Sequence, residues 1–122
     1  NMIANIKNGQ LAKKSIITCN KKKSCEAILN ILWNEGFILG YKVSKKNPQI
    51  LKIFLKYKNG IPVINLIKPV SKSSLKIYYS LKQLWKIESN KGLIILSTTS
   101  GFMSSNDCKK KKLGGEPFII IK

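Results

Sequence analysis

Apolar residues recur along this chain in two rhythms. A spacing of three to four predicts helices, and a spacing of two predicts strands. In residues 1–14, Met2, Ile3, Ile6 and Leu11 fall at roughly helical spacing, and Asn8 followed by Gly9 predicts an interruption or a stop. A short β-branched run at residues 15–19 precedes the strongest helical pattern. There Ala27, Ile28, Ile31 and Leu32 repeat between Ser24, the expected cap, and Gly36, the expected stop. Two extended runs follow, separated by Asn47 and Pro48. In the second, Leu51, Ile53, Leu55 and Tyr57 alternate with Lys52, Phe54, Lys56 and Lys58, which predicts a hairpin with one buried face.

Residues 60–70 hold Pro62 and Pro69 on either side of an apolar strand core, and we place a domain boundary there. Beyond it the pattern predicts a polar loop at 71–74, a strand at 75–80 and a brief helix at 81–86. A strong strand at 92–98, a hydroxyl- and glycine-rich stretch, a short lysine-rich helix and a final strand at 117–121 complete the chain. The expected fold class is α+β in two small α/β domains. Residues 1–65 form one with two helices and a short sheet, and residues 66–122 form the other, mostly β with short helices.

Charge changes this picture more than length does. In 122 residues, 23 basic side chains face 5 acidic ones, a formal net charge of +18. Such a chain repels itself and is drawn to polyanions. Every basic residue is lysine, and isoleucine and asparagine are plentiful, a composition that suggests an adenine- and thymine-rich genome such as that of an organelle or a parasite. That bias accounts for lysine in place of arginine; it does not account for the scarcity of acids.

Catalytic chemistry is poorly supplied. There is no histidine, and the carboxylates Glu26, Glu35, Glu88, Asp107 and Glu116 are scattered. No phosphate-binding glycine motif occurs. Cys19, Cys25 and Cys108 are odd in number and lack metal-ligand spacing, so we expect plain buried or half-buried thiols, no metal and no cofactor. No apolar run approaches the ~20 residues of a membrane-spanning helix. The first residues carry neither a signal-peptide nor a transit-peptide pattern. We therefore expect no enzyme and no small-molecule substrate.

Residues 96–116, LSTTSGFMSSNDCKKKKLGGE, gather hydroxyls around one glycine, then a lysine run, a glycine pair and a carboxylate. Hydroxyls here either hold a turn or read a polar ligand. Lys68, Lys72, Lys76 and Lys82 precede the stretch, residues 109–112 follow within it, and Tyr78 and Tyr79 stand beside it. Distributed charge, hydrogen-bonding groups on a rigid frame and a flat surface for stacking are what nucleic-acid binding requires. Neighbouring strand residues point to opposite faces, so one tyrosine is expected in the core and the other exposed.

These residues resemble the bacterial-type ribosomal protein S8 family. MIANIKNGQ is similar to its opening helix, ILNILWNEGFI to its second helix and turn, and VSKSSLKIYYS to its domain junction. The stretch STTSGFMSSNDCKKKKLGGE follows its Ser-Thr-Ser-Lys-Gly, apolar, Met, Thr, basic helix and Gly-Gly-Glu pattern without a gap. The resemblance implies two small α/β domains and a structural protein of the small ribosomal subunit. It also implies binding to the central domain of small-subunit rRNA early in assembly, beside neighbouring ribosomal proteins. It assigns RNA contact to Tyr78, Ser97, Thr98, Thr99, Gly101 and Glu116. To these we add Ser100, Ser104 and Gly115 of the same stretch, with Lys72 and Lys76 for charge. The chain departs from the pattern at Ser100, where the family has lysine, at Ser105 and Asn106, where Asp-Arg is common, and at Ser73 and Ser74, where it has Pro-Gly. Those departures, with the composition, suggest an organellar member in the mitochondrial matrix, with a plastid as the alternative. A basic peripheral protein of anionic membranes is the competing class, and it would need the first helix as its amphipathic anchor.

Overall fold

The computed structural model describes residues 1–70, 78–86 and 92–122. The expected loop at 71–74 and the first half of the expected strand at 75–80 lie outside them. The chain divides into two compact units, Asn1–Ile64 and Asn65–Lys122, each mixing helices with antiparallel sheet, which is the expected α+β class.

In the first unit, α1 (Met2–Leu11) and β1 (Ile16–Asn20) precede α2 (Lys23–Asn34), and β2 (Ile38–Val43), β3 (Ile50–Leu55), β4 (Tyr57–Lys58) and β5 (Ile61–Pro62) follow. The sheet order is β1-β3-β2, all antiparallel, so β3 is central. Leu51, Ile53 and Leu55 are buried in strict alternation, as the period of two requires. With Ile6 from α1, Ile17 from β1 and Ile28, Leu29 and Leu32 from α2, they supply much of this unit's buried apolar surface.

Three local expectations are corrected. Helix α1 does not stop at Asn8 and Gly9. Gly9 is buried, and a Cβ there would overlap Ile17 Cγ2 and come within 3.2 Å of Leu55 Cδ1. This glycine therefore lets the helix lie close on the sheet rather than ending it. Ser24 is not the cap of α2, because the helix begins one residue earlier with Lys22 in the cap position and no side-chain cap bond. Gly36 does end α2, in the left-handed region at φ 81°. The Phe37 N–H donates to Leu32 O and the Gly36 N–H to Trp33 O, the paired bonds of a Schellman turn. Finally, Asn59 and Gly60, at φ 55° and 78°, close a two-residue hairpin between β4 and β5 that the proline pattern had concealed.

The second unit contains β6 (Ile67–Pro69), α3 (Leu81–Lys86), β7 (Leu93–Thr98), β8 (Gly101–Ser104), α4 (Ser105–Lys111) and β9 (Glu116–Ile121). Its antiparallel sheet has the order β6-β9-β7-β8. Residues 93–96 of β7 are buried on both faces, which explains their unbroken apolar run. Leu84 of α3 and Cys108 of α4 pack with Ile94, Leu96 and Met103, and Tyr79, Leu113 and Ile120 close the cluster. The cysteines are free thiols. Burial, and then the neighbouring Cys25 sulfur, push Cys19 up to about 11, so it remains protonated at neutral pH.

The packing of Gly9 reverses the usual sign of a helix substitution. In an open helix Gly→Ala is stabilising, but here Gly9→Ala should lower the unfolding free energy by ~1–3 kcal/mol through overpacking against the stiff, β-branched Ile17. Denaturant unfolding of the two proteins checks it.

Candidate nucleic-acid interface

The hydroxyl stretch folds as the hairpin between β7 and β8, at an edge of the second sheet. Thr98 pairs with Gly101, and Thr99 and Ser100 form the exposed tip. Thr98 holds this turn: its hydroxyl donates to Gly101 O at 2.8 Å and accepts the Ser100 N–H at 3.1 Å. The question posed by the stretch thus has a divided answer, since Thr98 is a turn former while Ser97, Thr99 and Ser100 present hydroxyls to solvent. Gly101 sits at φ 99° with nothing within 4 Å of where a Cβ would stand. Conformation, not space, requires glycine there.

Ser97 pairs across the sheet with Phe102 on one side and Glu116 on the other, so the hydroxyl and the carboxylate share a face. Glu116 is half-buried at the start of β9. The glycine pair ahead of it serves a purpose other than turning. Tyr79 and Gly115 exchange two backbone hydrogen bonds, Tyr79 N–H to Gly115 O at 2.8 Å and Gly115 N–H to Tyr79 O at 2.9 Å. A Cβ on Gly115 would lie 2.8 Å from Ser97 O and 2.9 Å from Thr98 Cγ2, and one on Gly114 would lie 2.5 Å from Tyr79 O. Only glycines let the 78–80 segment and β7 approach this backbone together. As a result Tyr78, 65% exposed, is held beside the hairpin, while Tyr79 packs into the core cluster. The strand rule left open which tyrosine was which.

Ser104 does not reach the surface. It is 1% exposed and caps α4, accepting the Asp107 N–H at 3.2 Å. Gly115 is buried as well, so it positions neighbours rather than presenting itself. Lys72 and Lys76 lie outside the described residues. The structure thus brings together Tyr78, Ser97, Thr99, Ser100, Gly101 and Glu116, with Thr98 and Gly115 beneath them. Asp107 occupies the first turn of α4 and Lys109, Lys110 and Lys111 its last, the arrangement a helix dipole favours.

A model of the ribosomal protein S8 family matches residues 1–121. The chain belongs to that family. It is similar to the small ribosomal subunit protein uS8 of Buchnera aphidicola subsp. Cinara cedri, 40% identical over 120 residues covering 98% of this chain and 92% of that protein. The uS8 protein of Wigglesworthia glossinidia brevipalpis is 41% identical over 120 residues, covering 98% and 92%. That of Baumannia cicadellinicola subsp. Homalodisca coagulata is 43% identical over 118 residues, covering 94% and 89%. These relatives are bacterial proteins. The S8 family is one of structural ribosomal proteins and not of enzymes.

Sequence reasoning missed the division of labour among the hydroxyls, because Thr98 and Thr99 look alike until the hairpin register is known. The structure predicts that Thr98→Val, which keeps the methyl packed on Gly115 and removes the hydroxyl, lowers unfolding stability by ~1 kcal/mol. Thr99→Ala should leave the unfolding midpoint nearly unchanged. Equal midpoints for both variants would contradict the assignment.

Proposed function

We propose that this chain is a structural constituent of the small ribosomal subunit that binds the central domain of small-subunit rRNA and supports subunit assembly. The observation that carries the reading is the gathering of Tyr78, Ser97, Thr99, Ser100 and Glu116 around the β7–β8 hairpin, in a chain of net charge +18. Serine and threonine hydroxyls donate to phosphate or 2′-hydroxyl oxygens and accept from base edges, and an exposed tyrosine ring offers a face to an unstacked base. Thr98, Ser104 and Gly115 act through position: the first shapes the tip, the second starts α4 and the third admits the tyrosine segment. Neighbouring small-subunit proteins are the other partners the family implies. Residues 66–122 are the proposed rRNA-binding domain and residues 1–65 the companion domain.

Glu116 fits this reading through its role as an acceptor. The Gly115 N–H ahead of it is committed to Tyr79 O, so that part of the turn offers it no donor. A base amino group or 2′-hydroxyl would supply one and offset repulsion by the phosphates. The membrane alternative loses its anchor, because Met2, Ile6 and Gly9 of α1 are buried.

The ribosome proposed is of bacterial type. An all-lysine basic complement reports base composition rather than a compartment, and it supports the mitochondrial matrix or a plastid no more than a bacterium with the same bias. The bacterial relatives favour the last.

Titration of the chain with a central-domain rRNA transcript at several salt concentrations tests the binding. Log affinity should fall against log salt with a slope of about −0.7 to −0.9 for each phosphate contact. Ser97→Ala and Thr99→Ala should each cost about 1 kcal/mol of binding at unchanged unfolding midpoint. Glu116→Gln should bind nearly as the parent and Glu116→Ala about 1–3 kcal/mol more weakly. A flat salt response, or stability that drops while affinity holds, would overturn the assignment.

A further inference from the structure

Away from the hairpin tip, α3 and α4 carry a feature that neither folding nor the hairpin site uses. Trp85 of α3 is 64% exposed, although the buried contact of that helix is made by its neighbour Leu84. Lys109 of α4 places its Nζ 5.2 Å from the centre of the Trp85 ring. Such a cation–π contact orients the indole without covering it. Lys82 stands three residues before Trp85, on the same side of α3, and Lys86 follows it. Lys110 and Lys111 extend the exposed basic run from Lys109.

Lys112 adds a second, independent observation. It closes α4 in the left-handed region, at φ 58° and ψ 45°, where glycine is the unstrained choice and any other L-residue costs of order 1 kcal/mol. A lysine stands there in spite of that cost, as Lys13 does at φ 53° after α1, and it extends the basic run by one more charge.

Resting on the rRNA-binding reading above, we propose that Trp85, with Lys109 against its ring and Lys82 one turn before it on α3, is a second RNA contact: a stacking platform for an unpaired base, with these lysines and the rest of the α4 basic run, Lys112 included, on the adjoining phosphates. An aromatic face among cations is the arrangement that binds single-stranded nucleic acid without reading its sequence. A membrane surface is the less fitting occupant. Helix α3 is six residues long and buries its Leu84, so it has no continuous apolar face to lay on lipid. The surface departs from the hairpin site in kind, because it needs an unstacked base and no hydroxyl. The lysine run thereby gains a role that helix-dipole compensation alone does not require.

The full chain carries two tryptophans, Trp33 and Trp85, so Trp33→Phe leaves Trp85 as the only indole and makes its fluorescence a direct reporter. Titrated with the central-domain rRNA transcript, that fluorescence should be quenched in step with binding. Trp85→Ala should weaken binding roughly five- to a hundredfold, with Trp85→Phe recovering most of the loss. Lys112→Gly should reduce the salt slope by about one while raising the unfolding midpoint, so that its weaker binding cannot be ascribed to unfolding. Binding of Trp85→Ala within twofold of the parent, with unquenched Trp85, overturns the platform while Ser97→Ala and Thr99→Ala still report on the hairpin site. A fluorescence shift with anionic vesicles and none with RNA overturns it in favour of a lipid surface. Absence of RNA binding by the parent chain overturns both readings.

Discussion

The candidate RNA interface in the second unit depends on one close approach of backbones. Tyr79 and Gly115 exchange two hydrogen bonds, and the two glycines at 114 and 115 are what make room for them. Gly115 is in contact with three neighbours at once: the Tyr79 backbone, the carbonyl of Ser97 and the methyl of Thr98. Through it the tyrosine segment, the hairpin strand and the start of β9 are held in one arrangement. Tyr78 gains its place beside the hairpin from this bridge, and Glu116 gains its register opposite Ser97 from the strand that follows it. Buried backbone groups at such a junction must be paired, and here they pair with each other.

Charge and geometry contribute different things to recognition. A net charge of +18 draws the chain to any polyanion and makes binding sensitive to salt, yet it distinguishes no RNA site from another. Discrimination has to come from groups held in fixed positions. Thr98 illustrates how the fold provides them, by using its own hydroxyl to fix the tip so that Thr99 and Ser100 are presented without searching many conformations. The α4 lysines lie between these roles, since they serve the helix end as well as the electrostatic field.

Much of this was legible in the order of residues. The alternation in residues 51–55, the apolar repeat in α2 and the unbroken run in β7 each predicted their element, because a buried face imposes its period directly on the sequence; the same alternation carried on to Tyr57 and Lys58 overran the strand, since those two residues pair with β5 in another sheet. What failed were readings of single residues whose meaning depends on distant partners. Gly9 looked like a stop and is a packing site, because Ile17 and Leu55, far along the chain, press against it. Ser104 looked like a ligand-reading hydroxyl and is a buried cap, which its position three residues before Asp107 could have shown. The Asn59 and Gly60 hairpin was readable as a two-residue turn and was overshadowed by the prolines beside it. Trp85 gave no periodic signal, and its pairing with Lys109 exists only once α3 and α4 are packed.

The bridge itself is tested most directly by Gly115→Ala, measured for affinity to the central-domain rRNA transcript at a temperature where both proteins remain folded. The added Cβ would lie 2.8 Å from Ser97 O, so the strand, the tyrosine segment or both must move apart. If the close approach builds the site, affinity falls by about tenfold or more, equivalent to ~1.4 kcal/mol. Binding indistinguishable from that of the parent chain would contradict it and would show that the hairpin recognises RNA without the tyrosine segment at its side.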